Sequence, residues 1–60
     1  MKSLHVYTHD SHYQYHGLYQ KYLFEVQDTM LVVYERDDIT GEETVKAQFR
    51  TWEYFIVEDI

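Results

Sequence analysis

The run Met30-Leu31-Val32-Val33-Tyr34-Glu35-Arg36-Asp37-Asp38-Ile39-Thr40-Gly41-Glu42-Glu43-Thr44-Val45-Lys46-Ala47-Gln48-Phe49-Arg50-Thr51 decides how this chain folds. Met30 to Arg36 is rich in residues that pack well on a pleated surface. From Thr44 to Thr51 the residues alternate, with Val45, Ala47 and Phe49 on one side and Lys46, Gln48 and Arg50 on the other. A period of two is what a half-buried strand requires. Between the two runs, the Asp37-Asp38 pair favours turn initiation, and Gly41 can take the left-handed conformation that closes a hairpin with a bulge. The stretch reads as a β-hairpin.

Helix signals compete with that reading. Thr40-x-x-Glu43 has the form of a capping box, and Val45, Phe49, Trp52 and Ile56 recur at helical spacing. Against them stand Thr44, Val45, Thr51, Trp52, Tyr54, Phe55, Ile56 and Val57, β-branched or aromatic residues that suit a sheet better. Strand is the expectation.

Working outward, Leu4 to Thr8, Tyr22 to Gln27 and Glu53 to Glu58 read as further short strands. Residues 10–19 fit two states. Tyr15, Leu18, Tyr19, Tyr22, Leu23 and Val26 would line one face of a helix capped by Asp10 or Ser11. Gly17 in its middle would cost such a helix about 1 kcal/mol relative to Ala. The fold expected is mainly β: a small curved antiparallel sheet or an SH3-like barrel of four to five strands, with room for one short helix. Phe24, Tyr34, Phe49, Trp52 and Phe55 are the rings expected inside. That leaves Tyr7, Tyr13, Tyr15, Tyr19 and Tyr22 with little core to share.

Sixty residues form a single domain, 1–60, near the lower limit for folding alone. Without Cys there is no disulfide or thiolate metal site to staple it, and zero Pro with two Gly argues against a disordered chain. The longest apolar run, Met30 to Tyr34, is far short of the roughly 20 residues of a membrane-spanning helix. Met1-Lys2-Ser3-Leu4-His5 has no apolar core behind it and does not read as a secretory signal. A cytoplasmic location is the expectation.

The formal net charge is −6. Residues 1–30 carry −1 of it together with all four histidines, and residues 31–60 carry −5. So acidic a chain is not expected to bind nucleic acid directly, because phosphate binding rests on clustered Lys and Arg. Its five cations are scattered at positions 2, 21, 36, 46 and 50.

Catalysis finds little support. Asp10-Ser11-His12 contains triad residue types, yet triads are assembled across a fold and not from adjacent residues. Neither serine sits in a nucleophile elbow, and no Gly-rich phosphate loop is present. The expectation is a protein that is not an enzyme and takes no cofactor. His5, His9, His12 and His16 are spaced 4, 3 and 4, which suits zinc if the segment is helical. In an extended chain His5 and His9 would share one face, and His12 and His16 another. No metal site is assigned, and a His-rich zinc module is kept as a lesser alternative.

Binding is the stronger reading. Asp37, Asp38, Glu42 and Glu43 concentrate at one hairpin tip with Glu35 beside them, and Glu53, Glu58 and Asp59 lie on the closing strand. Carboxylates in such a row can imitate phosphates and steer the protein onto a basic surface. Tyr13, Tyr15 and Tyr19 supply amphipathic rings of the kind enriched at interface hot spots. In size and charge the chain is similar to small acidic proteins with which phages and other mobile elements block restriction or CRISPR enzymes. That resemblance, one of composition, implies an inhibitor acting as a DNA mimic on a protein with a basic surface. The alternative is a structural or regulatory homodimer joined through a Tyr-rich seam, since oligomerisation commonly compensates for a small core.

Overall fold

The computed structural model describes residues 1–59. Six strands follow in order: β1 (Lys2–Tyr7), β2 (His12–His16), β3 (Tyr22–Gln27), β4 (Met30–Arg36), β5 (Glu43–Phe49) and β6 (Tyr54–Asp59). The hairpin read from residues 30–51 is present as β4 and β5, and every connection within a sheet is antiparallel. One sheet has the order β2-β1-β6 and the other the order β3-β4-β5.

The mainly β, antiparallel fold expected from the sequence is present, and it differs from that expectation in strand number, in closure and in the short helix allowed for. The strands number six, not four to five, and they form two open three-stranded sheets rather than a closed barrel. No helix occurs among the described residues. Residues 10–19 supply β2 and then a tight turn, because Gly17 at φ +86° ends the strand and its carbonyl accepts the N–H groups of Gln20, Lys21 and Tyr22. No helix of the described residues is therefore long and apolar enough to cross a membrane.

The two sheets meet through their central strands. Leu4 and Val6 of β1 and Leu31 and Val33 of β4 are wholly buried and form one cluster with Leu18. Leu18 reaches it from the Gly17 turn, pinned by N–H bonds from Gly17 and Leu18 to the Lys2 carbonyl at 3.0 and 2.8 Å. The expected aromatic core is thus an aliphatic one. A body only 17 Å thick leaves a narrow interior, which β-branched and Leu side chains of the central strands fill.

Rings close the perimeter instead. Phe55 of β6 meets Phe24 of β3 edge-on at 5.2 Å, Tyr15 of β2 meets Tyr22 of β3 at 5.4 Å, and Tyr13 meets Phe49 of β5 at 5.0 Å. Tyr34 is excluded from this core. It pairs across from Leu23 on the outer face of its sheet, where its hydroxyl donates to Glu25 Oε1 at 2.9 Å. Burial and that hydrogen bond to a carboxylate raise the Tyr34 phenol above its ordinary value, the bond being the larger cause.

The β5 alternation also breaks. Val33 faces Ala47 but Tyr34 faces Val45, so Lys46 is an extra residue and forms a bulge. Beyond the bulge the parity reverses, and Val45 is 53% exposed rather than in the core.

Candidate functional site

The acidic hairpin end is built from its backbone. Asp37 N–H donates to the Glu42 carbonyl at 2.8 Å, and Gly41 N–H, at φ +74°, donates to the Asp37 carbonyl at 2.9 Å. Asp37 Oδ1 accepts the N–H groups of Ile39 and Thr40 at 2.8 and 3.0 Å, the local bond that Asp favours in turns. Those two donors, Thr40 first, hold the Asp37 carboxyl below the usual carboxylate range. Glu42 N–H donates to Thr40 Oγ1 at 3.1 Å. The loop is braced from within.

The carboxylates around it have different tasks. Glu43 is paired with Arg36 at 3.4 Å, and Glu35 with Lys46 at 3.5 Å. Asp38 is exposed and makes no hydrogen bond or ion pair among the described residues. Glu35, Asp37, Glu42 and Thr44 line a shallow depression of about 200 Å³. At the apex stands Ile39, 94% exposed, a residue that the sequence reading passed over.

The three tyrosines singled out from sequence do not sit together. Tyr13 and Tyr15 lie on the inner face of β2, opposite Val6 and Leu4, and pack against the second sheet. Tyr13 touches Phe49, at the end of β5 away from the acidic tip. Burial, and then the neighbouring phenols of Tyr13 and Tyr22, raise the Tyr15 pKa. Tyr19 is half exposed in the Gly17 turn, with Lys2 Nζ 5.5 Å from its ring centre. That turn adjoins the root of the acidic hairpin, since Arg36 N–H donates to the Lys21 carbonyl at 2.7 Å. Asp37, Asp38, Glu42, Glu43 and Tyr19 therefore belong to one end of the molecule.

A second constellation covers the outer face of the β2-β1-β6 sheet. The β1–β2 turn is closed by Thr8 N–H donating to the Ser11 carbonyl, and the register it sets pairs Tyr7 with His12, His5 with Gln14 and Ser3 with His16. Across the other side, Tyr7 faces Tyr54 and Ser3 faces Glu58. His5, His12 and His16 thus share one face, and His9 lies in the turn, a correction to the pairing expected from an extended chain. The intervening turn reverses the chain, so spacing along the sequence no longer sets the face.

Side chains on this face are ordered by one another. The rings of His12, Tyr7 and Tyr54 stack in a row with centroids 4.4 and 4.6 Å apart. His5 bonds Glu58 Oε1 through Nε2 at 3.2 Å and His12 Nε2 through Nδ1 at 3.0 Å. His16 Nδ1 lies 2.8 Å from Oγ of Ser3, which is itself buried. Tyr54 and Glu58 were not legible as neighbours of this face, because only the β1–β6 register brings residues 54–58 to residues 3–7. Among the described residues no group of three or more His, Asp or Glu is arranged to hold a metal ion.

No protein-family model matches the chain, and no curated protein or solved structure matches it.

Proposed function

We propose that the protein is a non-enzymatic binding module whose acidic hairpin docks on a basic surface of another protein. In its most concrete form the partner handles nucleic acid, and the module inhibits it by occluding the groove where phosphates would lie, as an anti-defence protein of a phage or mobile element would. The observation that carries this reading is Ile39, 94% exposed at the apex of a loop braced by the Asp37 carboxylate and by backbone bonds at its neck. An apolar side chain fixed in water inside a ring of carboxylates suits a pocket whose rim is basic. The −5 charge of residues 31–60 would speed the encounter, and Tyr19 extends the surface at the hairpin root.

Capture from cell lysate tests it, using the wild-type chain, Ile39→Asp, and the pair Glu42→Lys with Glu43→Lys. The expected result is one stoichiometric nucleic-acid-binding protein, released by high salt and retained at least tenfold less by both variants. A partner held equally by all three chains would reject docking through the hairpin.

Self-association is a second reading, favoured by one feature of β6. It is the outer strand of its sheet, and Tyr54, Ile56 and Val57 are 51%, 47% and 40% exposed along it. An open edge with apolar side chains is a template for another strand. Sedimentation giving a monomer at 100-fold the working concentration would remove this reading.

A further inference from the structure

We propose that β6 is the seam of a homodimer in which two copies join their β2-β1-β6 sheets edge to edge, antiparallel, about a two-fold axis at Ile56. The inference rests on the self-association reading above and names the strand, the register and the contacts of that seam. Of the four outer strands, β6 is the least protected. β5 carries the bulge at Lys46 and the Lys46–Glu35 ion pair, and bulges and charges are devices that keep a strand edge from pairing. β3 is bridged to Leu18 at Tyr22 and carries Glu25 and Gln27 on its outer face. β2 has five residues, and its two tyrosines are turned inward to Phe49 and Tyr22.

The core is also unfinished along β6. Val57 lies opposite Leu4, on the inner face of its sheet, yet it is 40% exposed while Leu4 is wholly buried. On the outer face Tyr54 and Ile56, opposite Tyr7 and His5, are half exposed. Three large side chains in a row of four residues are thus left in water on the two faces of one edge. Covering them removes apolar surface from water, and a strand laid along β6 covers both faces at once.

One register gives all three a partner, and the strand that fits is β6 of a second copy. Opposed residues of an antiparallel pair point to the same face, so a two-fold axis normal to the sheet must pass through a residue and not between two. Centred on Ile56, the pairing sets Ile56 against itself and Val57 against the partner's Phe55 on the inner face. On the outer face it sets Tyr54 against the partner's Glu58, where the phenol can donate to the carboxylate. Centred on Phe55, it would set Val57 against Glu53. Centred on Val57, it would set Ile56 against Glu58 and Phe55 against Asp59, so both rival registers oppose apolar side chains to carboxylates. The one like-charge pairing of the Ile56 register, Asp59 with Glu53, falls at the end of the strand, where Asp59 already meets the N-terminal ammonium at 3.8 Å. The acidic hairpin belongs to the other sheet and takes no part in the seam, so each dimer carries two of them.

Sedimentation of the wild-type chain and of Ile56→Lys, both at millimolar concentration, tests the seam. The wild type should run at twice the 7.4 kDa chain mass. Ile56→Lys should run as a monomer with an unchanged circular dichroism spectrum, because two like charges would meet on the axis. The chain has no Cys, so a single introduced thiol reports the register. Opposed residues have Cα atoms about 4.5–5.5 Å apart, within disulfide reach. Ile56→Cys should therefore form a covalent dimer on mild oxidation at least about tenfold faster than Phe55→Cys or Val57→Cys. A wild type that stays monomeric would overturn the proposal together with the self-association reading. A dimer that Ile56→Lys leaves intact would keep self-association and reject β6 as its seam. Equal or faster cross-linking of Phe55→Cys or Val57→Cys would reject the register.

Discussion

The indole Nε1–H of Trp52 donates to the backbone carbonyl of Thr29 at 2.9 Å, joining the β5–β6 connection to the tight turn between β3 and β4. The same ring lies 5.8 Å from Phe55, which in turn meets Phe24. Trp52 thus ties two connections and both sheets at one end of the molecule. Trp52→Phe keeps the ring contact but removes the donor, and should cost about 1 kcal/mol in urea unfolding. Trp52→Ala should cost about 3 kcal/mol, the lower end for large aromatics, because the ring is half-buried.

Leu4 belongs to the aliphatic core. It is wholly buried at the centre of a cluster of five aliphatic side chains. Leu→Ala in such a position costs about 2–5 kcal/mol, against a total stability of about 3–9 kcal/mol for a chain of this length. Leu4→Ala should therefore leave a large unfolded fraction at 37 °C by circular dichroism. Leu4→Met, close in volume, should remain folded.

The Asp37 carboxyl is held below its ordinary value of 3.8 by the N–H groups of Thr40 and Ile39. A depressed folded-state pKa means that its contribution is complete above the unfolded value and is lost as pH falls through the folded one. The stability that Asp37 contributes should therefore be complete above about 3.8 and be lost as pH falls below it, with the loop opening. In Asp37→Ala, amide exchange at Ile39 and Thr40 should be fast at every pH, while the Leu4 and Val33 amides stay protected. Unchanged exchange at Thr40 would contradict the bracing role given to Asp37.

Tyr15 works in the opposite direction. Burial, with the Tyr13 and Tyr22 phenols beside it, raises its pKa above 10.0. A raised folded-state value gives stability that is complete below the unfolded pKa and lost as pH rises through the folded one. Alkaline titration should show Tyr15 ionising above the ordinary phenol value of 10.0, and unfolding should set in above pH 10. Tyr15→Phe should flatten that alkaline decline. An equal decline in the variant would assign it to other groups.

Sequence periodicity located the strands well where each run was bounded by turn residues. Tyr22–Gln27, read from its alternation, and Met30–Arg36, read from its sheet-favouring residues, are strands with the bounds expected, and the closing strand is displaced by one residue. What stayed hidden depends on register. The segment 12–16 has alternating Tyr13 and Tyr15, but its helical pattern with Leu18 and Tyr22 was equally regular, and only Gly17 in a left-handed turn breaks the tie. The His5–Glu58 bond spans 53 residues, so no local pattern could announce it. The acidic tip, by contrast, was visible as a charge cluster because a hairpin keeps sequence neighbours together in space. Ile39 at its apex was visible too, but its exposure was not.

The bulge at Lys46 gives the sharpest check on the fold, because it separates two positions that alternation treats alike. Val45, Ala47 and Phe49 occupy one parity, yet the extra residue turns Val45 outward opposite Tyr34 while Ala47 and Phe49 stay against the core. Val45→Thr should then shift unfolding by less than about 0.5 kcal/mol, as an exposed substitution does. Ala47→Asp puts a carboxylate at the edge of the apolar cluster and should cost about 1–3 kcal/mol. Phe49→Ala should cost about 3 kcal/mol, since it also removes the ring that Tyr13 rests on. If β5 ran without the bulge, all three side chains would face inward and Val45→Thr would cost as much as burying an unpaired hydroxyl. Equal losses at positions 45 and 47 would therefore refute the shifted register, while a large gap between them would fix Lys46 as the inserted residue.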